Sequence, residues 1–232
     1  MADATFAAIR SGDLTALRQL LGEHPGLAGA PLGDRYGTRT PLHVVTDWPG
    51  YFPNGPEVVR VLVAAGADPD TCNPGETPLH WAASSDDSDV AEALIDSGAD
   101  IEAPDGSIGT PLSNAVGYGC WHVARLLVAR GARVELPWQA AALGLQARLE
   151  ELLAESIDPQ APSQALWHAC AGAQRRVAEY LLGQGADLQW VPDYADGAAL
   201  DAARGNGTRR DNVISWLLAV GARSSAPEDH KE

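Results

Sequence analysis

The sequence predicts an all-α solenoid of about six to seven helix-turn-helix repeats, and three observations carry that reading. Thr-Pro-Leu starts occur at Thr40, Thr77 and Thr110, the last two 33 residues apart. A Gly-Ala-Asp or Gly-Ala-Arg stop follows each, at Gly66, Gly98 and Gly131, and the stop returns at Gly185 and Gly221. Between start and stop, apolar residues recur at helical spacing, as in Val90, Ala93, Leu94 and Ile95.

Each part has a local physical reason. The Thr77 hydroxyl can accept from an orphan helix amide, and Pro78 is preorganised for the first turn. Leu79, Ala82 and Ala83 then form one apolar face, Ser84 to Asp89 breaks the pattern, and Gly98 supplies the left-handed residue that ends the second helix.

Taken in order, residues 3–30 form a degenerate helical pair without the Thr-Pro start, as a terminal cap that shows one face to water should. Repeats follow at about 34–70, 71–104, 105–136, 137–160, 161–191 and 192–223, forming one domain over 1–223, and 224–232 is expected to be a disordered tail. The interval from Thr40 to Thr77 is 37 residues because the first full repeat holds an insertion, Asp47 to Pro56, with three prolines, two glycines and three aromatics. Aromatics placed on a loop call for a reason: Trp48 and Phe52 either fold back as a lid or serve recognition. Beyond Gly131 the helix starts come about 25 residues apart, which leaves no room for a full connection between 131 and 140.

The two Thr-Pro-Leu-His tetrads, the Thr-Pro-Leu-Ser variant and the glycine stops closely resemble the ankyrin repeat family, over nearly the whole chain. The resemblance implies short β-hairpin fingers on one edge, a row that the shortened spacing interrupts near residues 131–140, and a structural role for His43 and His80, bonded to nearby backbone and hydroxyl groups. It also implies a protein-binding module that recognises its partner through the finger tips and the concave strip of first helices. Carried onto this chain, that surface is Arg35, Tyr36, Arg39, Asp47, Trp48, Glu76, Ser84, Ser85, Ser107 and Tyr118; Tyr51, Phe52 and Trp138 join it as aromatics in or beside connections.

Composition narrows the partner. The net charge of −15 repels phosphate backbones and argues against nucleic acid. It admits a basic partner, or one with an exposed apolar anchor. No segment is apolar enough for a membrane span, and the start lacks a signal peptide, so a cytoplasmic protein is expected. Cys72, Cys120 and Cys170 lie in different repeats without metal-ligand spacing, which suggests reduced thiols and no zinc site. Fifteen of sixteen basic residues are arginine, the pattern of GC-rich coding, from which a bacterial source is expected.

No nucleotide-binding, nucleophile-elbow or metalloprotease motif occurs, and no cofactor is implied. Gly205 to Arg210 is rich in glycine and arginine but has neither the spacing nor the lysine of a phosphate-binding loop. Asp86, Asp87 and Asp89 complement a helix dipole. His122 and His168 read as partly exposed helix residues. Trp81, Trp167 and Trp216 read as packing, and Trp48, Trp138 and Trp190 as interface candidates. The alternative to a protein partner is a small molecule bound or transformed in a pocket under residues 47–56, for which the catalytic constellation would be Asp47, Tyr51, Tyr118 and His122.

Overall fold

The computed structural model describes residues 1–34, 37–73, 75–205 and 207–226. The chain divides into two compact units, Met1–Arg133 and Val134–Glu232, with the boundary in the shortened segment after Gly131.

The first unit contains four helix pairs. They are α1 (Ala2–Ser11) with α2 (Leu14–Glu23), α3 (Pro41–Thr46) with α4 (Gly55–Ala64), α5 (Pro78–Ser85) with α6 (Ser88–Asp96), and α7 (Pro111–Gly117) with α8 (Trp121–Ala129). Proline opens α3, α5 and α7 behind Thr40, Thr77 and Thr110, each in extended conformation. Leu42, Leu79 and Leu112 are fully buried, as are Val58, Val59, Leu62, Leu94 and Leu127 from the second helices. Gly98 adopts φ +97°, and Ala99 N–H reaches back to the Leu94 carbonyl at 3.0 Å. That closes α6 as the sequence predicts.

Fingers are shorter than the resemblance implies. A ladder forms only before α3 among the described residues, where β1 (Leu32–Asp34) pairs antiparallel with β2 (Gly37–Arg39). Before α7 the hairpin shrinks to a tight turn in which Gly106 and Gly109 exchange both backbone hydrogen bonds, at 2.9 and 3.1 Å. The segment is too short, and too rich in glycine, to extend the pairing.

The second unit holds α9 (Pro137–Leu143), α10 (Gln146–Glu155), α11 (Ala161–Ala171), α12 (Arg175–Gly183), α13 (Ala199–Ala202) and α14 (Thr208–Ala219). Its core is built from alanine and leucine, with Ala140, Leu149, Ala165, Leu166, Leu181, Val213 and Leu217 at its centre. A Cβ on Gly172 would lie 2.1 Å from the Ala142 carbonyl oxygen, so helix backbones here approach as closely as a missing side chain allows.

No described helix is long and apolar enough to cross a membrane.

Candidate functional site

The threonine tetrads set the floor of the site. His43 Nδ1 accepts from the Thr40 hydroxyl at 2.7 Å, and its Nε2–H donates to the Glu76 carbonyl of the next repeat at 3.0 Å. His80 repeats this with the Thr77 hydroxyl and the Gly109 carbonyl, both at 2.9 Å. Burial lowers both imidazole pKa values, which keeps the rings neutral, and each uses both nitrogens within the protein. These histidines hold adjacent repeats in register.

Above that floor, α3, α5 and α7 present equivalent positions to a single open concavity. It encloses about 220 Å³ and is lined by Thr46, Asp47, Trp48, Glu76, Trp81, Ser84, Ser85 and Tyr118. Trp48 is 79% exposed and Tyr118 is 55% exposed. Trp81 stands edge-on to His43, with ring centroids 5.0 Å apart, so its orientation is fixed. Glu76 Oε1 accepts from the Ser107 backbone N–H and from the Asn114 side-chain amide, each at 2.8 Å. Burial pushes the Glu76 pKa up, but these hydrogen bonds outweigh it and hold the carboxyl below its usual value. The lining therefore carries a fixed negative charge beside three aromatic rings.

The structure places the other expected residues as follows. Asp47 lines the concavity, but its Oδ2 is held by Arg39 at 2.5 Å and Arg10 at 3.1 Å. Arg39 is 7% exposed and lies over the Phe6 ring, so it is an internal ion-pair member and not a contact surface. Arg35 and Tyr36 lie outside the described residues. Ser84 and Ser85 line the concavity, and the Ser107 hydroxyl reaches the Tyr118 hydroxyl at 3.3 Å.

Tyr51 and Phe52 are not among the lining residues, and Phe52 is half-buried. The Tyr51 N–H donates to Asp87 Oδ2 and its hydroxyl to the Asp86 carbonyl, both at 2.5 Å. Asn54 donates to the Gly12 carbonyl at 2.9 Å. The insertion is thus fastened to the repeats on either side of it, while Trp48 stays largely exposed at the rim of the concavity. His122 is engaged by Asp86, with Nδ1 at 2.7 Å from Oδ2. The constellation Asp47, Tyr51, Tyr118 and His122 is therefore divided: the first and third face the concavity, and the second and fourth are bound to Asp86.

Trp138 belongs to the second unit, where it stacks at 4.9 Å on His168. His168 also contacts Trp167 and the Tyr194 hydroxyl, is only 5% exposed, and its pKa is lowered by burial to about 4. The expectation of a partly exposed His168 is corrected: it lies on the inner face of α11, one residue before buried Ala169 and three after buried Ala165. Cys120 and Cys170 are buried thiols, raised by desolvation to about 11 and about 12, and Cys72 is exposed.

Sequence reasoning assigned Trp81 to packing and missed its place in the site. A signal was present, since Trp81, Ser84 and Ser85 stand at i, i+3 and i+4 on one helical face.

A family model for ankyrin repeats matches residues 4–105 and 51–137, which together span more than half of the chain. The chain belongs to the ankyrin repeat family. Ankyrin repeat proteins generally mediate protein-protein interaction. This ankyrin repeat protein is 27% identical over 199 residues to the B-cell lymphoma 3 protein homolog of Mus musculus, covering 84% of this chain and 38% of that one. It is 30% identical over 179 residues to the ankyrin repeat and KH domain-containing protein mask-1 of Caenorhabditis elegans, covering 72% of this chain and 7% of that one. The chain spans well under half the length of these curated relatives. Among solved structures it is similar to the human ASB11 ankyrin repeat domain, with a TM-score of 0.47 at 23% identity, covering 83% of this chain and 94% of that one. It is also similar to the ankyrin repeat domain of Bcl-3, with a TM-score of 0.48 at 26% identity, covering 99% and 90%.

Proposed function

We propose that the first unit binds a protein partner and seats one basic side chain of that partner between Trp48, Trp81 and Tyr118, against Glu76. The observation that carries this reading is the lining of the concavity: three aromatic rings and the Glu76 carboxylate, with Asp47 already paired to Arg39 and Arg10 and no cationic side chain among the residues that form it. A guanidinium or ammonium over aromatic faces gains about 0.5–2 kcal/mol, more as water is excluded, and an ionised carboxylate adds to it. Size argues against a small-molecule pocket. About 220 Å³ holds one side chain and falls below the roughly 300–1,000 Å³ of typical ligand sites.

The test compares wild type with Trp48→Ala and Glu76→Gln in capture from a lysate, followed by titration of peptides from the captured protein with each Lys or Arg replaced by Ala. The expected result is a partner held by wild type, weakened in both variants, lost when one basic residue is replaced, and weakened by salt. Trp48 is 79% exposed, so Trp48→Ala should change stability by less than about 0.5 kcal/mol. Equal binding by wild type and both variants would overturn the reading.

A further inference from the structure

The second unit carries a cleft of opposite character, which is independent of the partner site. It encloses about 790 Å³ where the first turns of α12 and α14 meet, and its lining includes Arg175, Arg176 and Arg209. Glu179 is the only carboxylate in that lining, so the formal local charge is +2 within a chain of −15. Arg175 bridges the two helices, with its Nε 2.8 Å from Glu179 Oε1 and one terminal nitrogen 2.6 Å from Asn212 Oδ1. Its guanidinium is thereby held in place. Arg176 and Arg209 are exposed and have no ion-pair or hydrogen-bond partner among the described residues.

The backbone adds to this. In the first unit a carboxylate fills the opening of the second helix in three pairs: Asp13 at α2, Asp87 at α6 and Asp86 at α8. At α12 and α14 the capping positions are Gln174, whose side chain does not cap, and Gly207, which has none. The first turns there, Arg175 to Val177 and Thr208 to Arg209, line the cleft that holds the arginines.

We infer that this cleft binds a small molecule carrying a phosphate group. A +2 excess is matched by a dianion, guanidinium groups recognise phosphate oxygens in pairs, and amides at helix openings complete such sites. The volume lies within the range of small-molecule sites. The overall negative charge repels long polyanions and so favours a compact ligand over nucleic acid. Thr208 and Arg209, which line the cleft, thereby gain a role without a phosphate-binding-loop motif.

The probes are inorganic phosphate, inorganic pyrophosphate and acetate, titrated calorimetrically into the full chain and followed by amide chemical shifts. Expected are saturable one-to-one binding of pyrophosphate, shifts confined to residues 175–177 and 207–212, and at least tenfold weaker binding by Arg176→Ala/Arg209→Ala. Acetate should bind far more weakly. Absence of saturation, shifts elsewhere, unchanged affinity in the double variant, or acetate binding equal to pyrophosphate would each overturn the proposal. The shift map needs no variant, and the Trp48→Ala protein should bind pyrophosphate as wild type does.

Discussion

Asp86 caps a helix in the repeat that follows its own. Its Oδ1 accepts the His122 and Val123 amides at 3.0 Å each, while Oδ2 holds the His122 ring. Asp86 itself ends α5 in the left-handed region, at φ +57°, where aspartate and asparagine are tolerated better than most residues. Asp86→Ala should therefore lose both the cap and the favourable backbone, about 1–3 kcal/mol. Asp86→Asn should recover part of that loss. Urea unfolding of the two variants checks this, and equal stability of Asp86→Ala and wild type would remove the inter-repeat cap from the account.

Asp87 is 1% exposed and serves two amides, that of Val90 in α6 and that of Tyr51 in the insertion. Replacing it by Ala leaves both donors without their acceptor, at a cost of about 2–4 kcal/mol. Amide exchange at Tyr51 should accelerate together with the loss of global stability. If Tyr51 stays protected, the insertion is held by other contacts.

Gly98 has open space around a hypothetical Cβ but a φ of +97°. Gly98→Val should cost about 1–2 kcal/mol through backbone strain alone, without a steric clash. A calorimetric melt that leaves the midpoint unchanged would contradict the helix stop.

His168 has a folded pKa lowered to about 4 by burial, against about 6.5 when unfolded. Between those values the unfolded chain binds the proton and the folded one does not. The stability contributed by the neutral ring is full above pH ~6.5 and is lost as pH falls through this window, up to about 3 kcal/mol near pH 4. His168→Gln should flatten that part of the stability-pH curve, measured by denaturant titration from pH 7 to pH 4. An unchanged slope would show that other groups set the acid sensitivity.

The repeat pattern was legible because its causes are local. Thr77, Pro78 and Gly98 act on backbone within a few residues, so their spacing reports the helices directly. The strip formed by Trp48, Ser84, Ser85 and Tyr118 was legible for a related reason, since equivalent positions in a stack must fall side by side. What escaped was pairing across repeats. Nothing near Asp86 in sequence names His122, 36 residues away, as its partner, and nothing near Asp47 announces Arg10. His168 was misplaced because its burial depends on Trp138 and Tyr194, which no local periodicity brings to it.

Four of the carboxylates that join repeats among the described residues of the first unit point the same way. Asp70 accepts the Asp100 amide, Glu76 that of Ser107, Asp86 those of His122 and Val123, and Glu102 that of Arg133. In these four the acid lies upstream and the amide downstream, whereas Asp87 runs the other way and takes the Tyr51 amide. For these four, removing the downstream partner would return a carboxylate to water, which costs little. Removing an upstream repeat would strip amides of their acceptors, so the two directions of truncation are not equivalent, and fraying should proceed more readily from the downstream side of this unit.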